Sequence, residues 1–327
     1  MKVADMHSDT VYELLKNRKS GKNVSLWENA LHMDLKKMKQ ADYLLQNFAM
    51  FVELSACENP YKEGKAEYAV FREEMEKNHD LISQVFCYED ILKNQEMGRI
   101  SALLTIEEGE VCLGEVEKLE EFYALGVRMM TLVWNFHNSL STSAVQRKLS
   151  SPRNYSGSRT GLTETGIVFV ERMEELGMIP DVSHMSDAGI EDMLQVAKKP
   201  FVASHSNARA LCNHRRNLTD DFLKHMGEKG CLVGANFYSE FLREGAKLSE
   251  TERIAEHILY MVNTAGIESV GLGSDYDGID CMLEMSDCSK IQMLADALKK
   301  KGMTESQIER VFYKNVLRLY KELLFYR

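Results

Sequence analysis

Residues 178–206 read MIPDVSHMSDAGIEDMLQVAKKPFVASHS. Two short apolar runs, Met178–Val182 and Phe201–Ser204, flank an amphipathic segment, Asp187–Lys198, on a charged background. Ser186 precedes that segment as an N-cap, and Gly177 stands where the helix before it should stop. Each apolar run ends in polar residues, Asp181-Val182-Ser183-His184 and Ser204-His205-Ser206. Short, partly β-branched runs separated by amphipathic helices suit parallel strands covered on both faces.

The same unit recurs along the chain. Further candidate strands are Val3–Met6, Phe48–Val52, Ser101–Ile106, Arg128–Val133, Cys231–Asn236 and Ser269–Gly273, which makes eight in all. Further candidate helices are Lys65–Val85, Glu115–Ala124, Glu164–Leu176 and Glu250–Thr264, with a long closing helix over Thr304–Leu324. Eight strand–helix units predict an α/β fold, a (β/α)8 TIM-like barrel. No Pro/Gly/Ser-rich linker divides the chain, so residues 1–327 are expected to form one barrel domain. The polar, Ser- and Arg-rich stretch 138–161 is expected to be a lid loop.

Composition narrows the function. The 327 residues are 44% hydrophobic, enough for a sizeable core, and 50 acidic against 40 basic residues give a formal charge of -10. Such a chain lacks the clustered cations that neutralise phosphates, so no nucleic acid and no membrane surface is expected as partner. There is no apolar run of about 18 residues for a membrane span and no apolar segment behind the first methionine, so a cytoplasmic location is expected. Seven cysteines without CxxC spacing are expected to be reduced, mostly buried thiols.

Polar residues gather at the C-terminal ends of the candidate strands, which in a barrel converge on one mouth. Besides the two motifs above, these are Asp5-Met6-His7-Ser8-Asp9, Glu107-Glu108-Gly109, Trp134-Asn135 and Gly273-Ser274-Asp275-Tyr276-Asp277-Gly278. His7 and Asp9 are two apart, so in a strand both face one side. Three histidines with neighbouring carboxylates form a nitrogen-and-oxygen set suited to zinc or a related divalent ion. A single histidine at a strand end is more often a hydrogen-bonded structural residue, and three of nine in such positions weaken that alternative. Of the other six, His32, His79, His214, His225 and His257 read as solvated or capping residues, and His137 is left open. No phosphate-binding glycine loop, GxSxG elbow or HExxH helix is present.

In this order, the motifs resemble the membrane dipeptidase (renal dipeptidase) family of dinuclear zinc peptidases, related to the amidohydrolases. His7-Ser8-Asp9 is similar to its His-x-Asp, and Ile106-Glu107-Glu108-Gly109 to its Val/Ile-Glu-Gly-Gly, with Glu108 where a glycine is usual. The stretch from His214-Arg215-Arg216-Asn217 to Asp220-Asp221 resembles its Arg-Arg-Asn-x-x-Asp-Asp, and Gly273–Gly278 its Gly-Gly-Asp-Phe-Asp-Gly. The resemblance implies two zinc ions, one held by His7 and Asp9, the other by His184 and His205, with Glu107 bridging them. It implies hydrolysis of free dipeptides, L,D-dipeptides included, by a metal-bridging hydroxide. Asp275 would move the proton from that water to the leaving amine; the alternative is that it orients a ligand. Arg216 would hold the substrate carboxylate, although spacing alone favours a surface ion pair with Asp220 or Asp221. Where mammalian members carry an oxyanion-stabilising histidine this chain has Trp134, so Asn135 or His137 would take that place at the substrate, or the second metal acts unaided. A homodimer is implied by the resemblance and by no motif.

Two other functions compete. One is another amidohydrolase-type hydrolase, acting on an N-acyl amino acid, lactone or phosphoester; such relatives often open with His-x-His and bridge their metals through a modified lysine. The other is a catalytically idle barrel that binds peptide or metal, whose signature would be a missing ligand or a missing Asp275.

Overall fold

The computed structural model describes residues 1–145 and 160–325. Eight parallel strands close into a barrel: β1 Val3–Asp5, β2 Tyr43–Phe51, β3 Ile100–Glu107, β4 Val127–Thr131, β5 Ile179–Asp181, β6 Val202–Ala203, β7 Leu232–Ala235 and β8 Val270–Leu272. Each strand pairs with its chain neighbours, and Asp5↔Leu272 joins the last to the first. The pairs Phe51↔Glu107, Glu107↔Thr131 and Thr131↔Asp181 set four strand ends on one rung, which levels the mouth. All eight expected runs contain a strand, and helices pack outside the ring. Ser186 caps Asp187–Val196 by accepting from Gly189 N, and Gly177 ends the helix before β5 with φ +79°.

Two boundaries differ from the sequence pattern. β2 begins five residues before the expected Phe48 because polar Gln46 and Asn47 conceal its first half. Asn47 faces inward and exchanges hydrogen bonds with the Tyr320 hydroxyl at 2.7 and 3.0 Å. The expected helix Lys65–Val85 is Pro60–Lys77, opened by Asn59, whose side chain accepts from Lys62 N. Its expected end is a separate short strand, Ile82–Gln84, which pairs with the first residues of β3. A second small parallel pair, Leu248–Ser249 with Met282–Leu283, lies outside the barrel.

Two apolar layers hold the ring. Inside it, Ala4, Met6, Leu45, Leu103, Met129, Ile179, Val202 and Leu232 pack against Val316, Leu319, Tyr320 and Leu323 of the closing helix. That helix therefore plugs the base, and the polar end of the barrel is left open. It is capped by Thr304 and Gln307 and passes through a π-turn at Arg310–Lys314. The second layer lies between the strands and the outer helices. All seven cysteines are free, five of them buried. No helix among the described residues is long and apolar enough to cross a membrane. Residues 146–159 of the expected lid lie outside the described residues; its described ends are tied by the bridges Ser141↔Leu162 and Ser143↔Met185.

Glu67 is buried in helix Pro60–Lys77, where one carboxyl oxygen accepts from Phe51 N at 2.9 Å and the other has no partner. Burial pushes this carboxyl well above its ordinary value. The group is neutral in the fold, so above the unfolded pKa unfolding releases a proton and stability falls as pH rises towards the folded pKa. The slope in that window is about 1.4 kcal/mol for each pH unit. Glu67→Gln is expected to remove that slope: thermal melts at pH 5 and pH 8 should differ less in the variant than in the wild type.

Candidate metal centre and active site

Local backbone geometry aims the polar strand ends at one point. After β1, His7 and Asp9 turn into the mouth; after β8, Asp275 and Asp277 take φ of +64° and +69°, uncommon for residues with a side chain and found mostly at functional sites. Gly278 lies so close that a Cβ there would meet Asp9 Oδ2 at 1.9 Å and Asp275 Oδ1 at 2.6 Å. Only glycine fits that turn.

Glu107, at the end of β3, sits at the centre. Its Oε2 is 3.3 Å from His7 Nε2, and its Oε1 is 2.9 Å from His184 Nε2 and 3.4 Å from His205 Nε2. The two oxygens of one carboxylate thus face two different nitrogen sets. On the first side, Asp9 Oδ1 and Asp275 Oδ1 each lie 3.8 Å from His7 Nε2. On the second, the two Nε2 atoms of His184 and His205 are 3.0 Å apart.

Outer partners fix the tautomers. Ser204 Oγ lies 2.6 Å from Asp181 Oδ2 and 2.7 Å from His205 Nδ1. Its single proton goes to the carboxylate, so Nδ1 of His205 must be the donor and Nε2 keeps its lone pair. Asp181 also accepts from Thr131 Oγ1, Ser183 Oγ, Ser183 N and Ser204 N. Burial raises its carboxyl; these hydrogen bonds help to hold it below the ordinary range. His184 Nδ1 is 3.0 Å from Asn135 Oδ1, an acceptor, which likewise leaves Nε2 free. Asp5 accepts from His7 N and from Ser274 N and Oγ, tying β1 to β8 behind the site.

The electrostatics call for cations. Burial opposes ionisation of Glu107, but the positive charge of His7 outweighs it and holds the carboxyl well below its usual range. Burial and the charge of Glu107 push Asp9 well above its own. Burial lowers His7, yet Glu107, Asp9 and Asp275 bring it up to about 10, and the carboxylates that favour a proton there favour a divalent ion equally. Burial keeps His184 and His205 neutral, the form in which imidazole ligates. His7 Nε2 and Asp9 Oδ1 are buried without a hydrogen-bond partner. Such orphaned ligand atoms, with neutral imidazoles and the ionised Glu107, fit a divalent metal.

A cavity of about 570 Å³ opens over the cluster, bounded by Tyr12, Phe51, Trp134, Arg216, Phe241 and Asp275 among others. Arg216 is not the surface ion pair that its spacing favours. Its guanidinium is buried, packs over the Phe241 ring at 5.3 Å, donates to His205 O, and leaves Nε and Nη1 without partners. Burial lowers its pKa to about 10, so it stays a cation at neutral pH. Asn135 borders this cavity and His137 does not: His137 Nδ1 accepts from Ser143 N, and its ring lines a separate cleft with Thr142 and Arg209. The chain after β4 thus directs Asn135 and His137 to different clefts.

Asn236 is a site residue that the sequence did not single out: its Nδ2 donates to Asp275 Oδ2 at 2.9 Å. It lay inside an expected strand run, where nothing distinguished it from a strand-end polar residue. His257 is not solvated but buried, bridging Ala208 N and Leu242 O. His32 accepts from Asp277 N and pins that loop.

Fold and site together define a (β/α)8 barrel with a nitrogen-and-carboxylate donor set for divalent metal at its mouth. The chain belongs to the membrane dipeptidase family, peptidase family M19, whose model matches residues 1–326. It is 34% identical over 344 residues to an uncharacterized dipeptidase of Schizosaccharomyces pombe, covering 98% of this chain and 80% of that protein. Among solved structures it is similar to dipeptidase AC, an M19 metallopeptidase, with 25% identity, a TM-score of 0.89 and 99% of both chains covered. A metallopeptidase from Rhodobacter sphaeroides, liganded with a phosphinate mimic of L-Ala-D-Ala, shares the fold at 24% identity, a TM-score of 0.88 and 99% of both chains.

Ser204→Ala removes the acceptor that fixes His205. Affinity for divalent metal should fall by roughly 10–100-fold, read by competition with a chelator, while the far-ultraviolet circular dichroism stays that of the wild type.

Proposed function

We propose that this protein is a dinuclear zinc dipeptidase that hydrolyses free dipeptides, with L,D-dipeptides among them. The observation that carries the reading is Glu107, whose two oxygens face His7 on one side and His184 with His205 on the other. His7, Asp9 and Glu107 would hold one ion; His184, His205 and Glu107 the other. When bound, the ions supply an activated water at neutral pH and Lewis-acid polarisation of the scissile carbonyl. The first pair is His-x-Asp and the bridging position a glutamate, which disfavours the other amidohydrolase chemistries; all ligand positions and Asp275 are filled, which disfavours an idle barrel.

The remaining steps belong to the chain's own side chains. Arg216 anchors the terminal carboxylate of the substrate through its unpaired Nε and Nη1. A buried cation at the wall of the cavity makes an anionic group the favoured occupant. Asp275 holds the transferred proton on Oδ1, which faces the cluster, because Asn236 occupies Oδ2. The same oxygen then protonates the leaving amine. Asn135 keeps His184 oriented and borders the substrate. Residues 1–327 act as one barrel domain.

A panel of L,L- and L,D-dipeptides, tested on enzyme stripped with chelator and reloaded with zinc, checks the reading. Hydrolysis of panel members is expected; two zinc ions bound with no hydrolysis anywhere would overturn it. Asp275→Asn should lower kcat by roughly 10²–10⁴-fold with zinc content unchanged. Arg216→Met should act mainly by raising KM, and an unchanged KM would remove the carboxylate role.

A further inference from the structure

Two positions at this site depart from the motifs they resemble, Glu108 where a glycine is usual and Trp134 where mammalian members carry a histidine, and the structure puts them in contact. Glu108 has φ +99°, backbone that favours glycine. Its buried carboxylate accepts hydrogen bonds from Trp134 N at 3.2 Å, Asn138 Nδ2 at 2.5 Å and Glu110 N at 2.9 Å. Asn138 also donates to Leu132 O and accepts from Leu140 N and Ser141 N. The segment after β4 is therefore folded around the Glu108 side chain.

This places the Trp134 ring against other aromatic groups. Trp134 meets Phe51 edge-on with ring centroids 4.8 Å apart, and Phe51 meets Tyr12 edge-on at 5.1 Å. All three line the cavity over the metal cluster. They belong to the β1, β2 and β4 sectors, whereas Arg216 follows β6, diametrically across an eight-stranded ring from β2. A dipeptide with its carboxylate on Arg216 and its scissile carbonyl over Glu107 would extend its first residue towards the three rings.

We propose that Glu108 and Trp134 act as a unit that builds, with Phe51 and Tyr12, a subsite for the side chain of the first residue. The unit selects dipeptides that begin with a large apolar or aromatic residue. Burial of apolar area against the rings supplies the preference. The inference rests on the dipeptidase reading above.

The test compares kcat/KM of the zinc-loaded enzyme on Phe-Gly, Leu-Gly, Gly-Gly and Asp-Gly. Phe-Gly and Leu-Gly are expected to exceed Gly-Gly by roughly 10–200-fold, and Trp134→Ala to shrink that ratio to about threefold or less. Glu108→Gly suits the local backbone and should fold; it is expected to move the ratio in the same direction, and Glu108→Gln to retain more of it. A second readout is fluorescence: with Trp27→Phe, Trp134 is the sole tryptophan, and adding Glu108→Gly should shift its emission to the red. Equal kcat/KM on Phe-Gly and Gly-Gly in the wild type, or an unchanged ratio in Trp134→Ala, overturns the subsite while dipeptide hydrolysis stands. An unchanged ratio and emission in Glu108→Gly overturns the coupling of the pair. No hydrolysis of any of the four, with zinc bound, overturns the dipeptidase reading itself.

Discussion

The structure turns on one buried carboxylate. Glu107 is ionised in a place where burial alone would keep it neutral, because the charged ring of His7 lies 3.3 Å from it. A charge held away from water must be matched by partners that cannot move, or it is neutralised by a proton. The barrel supplies that rigidity. Glu107 ends a strand paired on both sides, so its oxygens are directed by backbone hydrogen bonds rather than by a loop.

The surrounding polar groups serve this constraint. Asp181 collects five hydrogen bonds, and through Ser204 it decides which nitrogen of His205 carries a proton. Asn135 does the same for His184, and Asn236 does it for the orientation of Asp275. Asp5 ties His7 to the turn after β8. His184 and Asp275 thus have partners on neighbouring strands, and His205 is tied through Ser204 to Asp181 of the strand beside it, which is how a ring of short strands, one of only two residues, still positions side chains firmly. The closing helix blocks the opposite end of the barrel with Tyr320 and leucines, so only the mouth is polar and open.

Much of this is legible in the sequence. The eight apolar runs are short and their amphipathic partners long, and that alternation has few solutions other than a parallel barrel. His7, Asp9, Glu107, His184, His205 and Asp275 stand out because polar residues at the ends of buried strands need a reason. What escapes is non-local. The start of β2 is hidden because Asn47 is polar, and it is polar because Tyr320, nearly the whole chain away, satisfies it. Asn236 looks like any residue at a strand end until Asp275 is placed beside it.

The sequence by itself determined the repeat, the order of the motifs and the chemical types available at the mouth, because these follow from local periodicity and residue identity. The tertiary structure alone decided which groups meet. It buried Arg216 where its spacing favours a surface ion pair, turned His137 into a separate cleft, and joined Glu108 to Trp134 across two β/α connections. The physical reason is that burial and hydrogen-bond partnership are set by strand register and ring closure, which bring together residues that no sequence window contains.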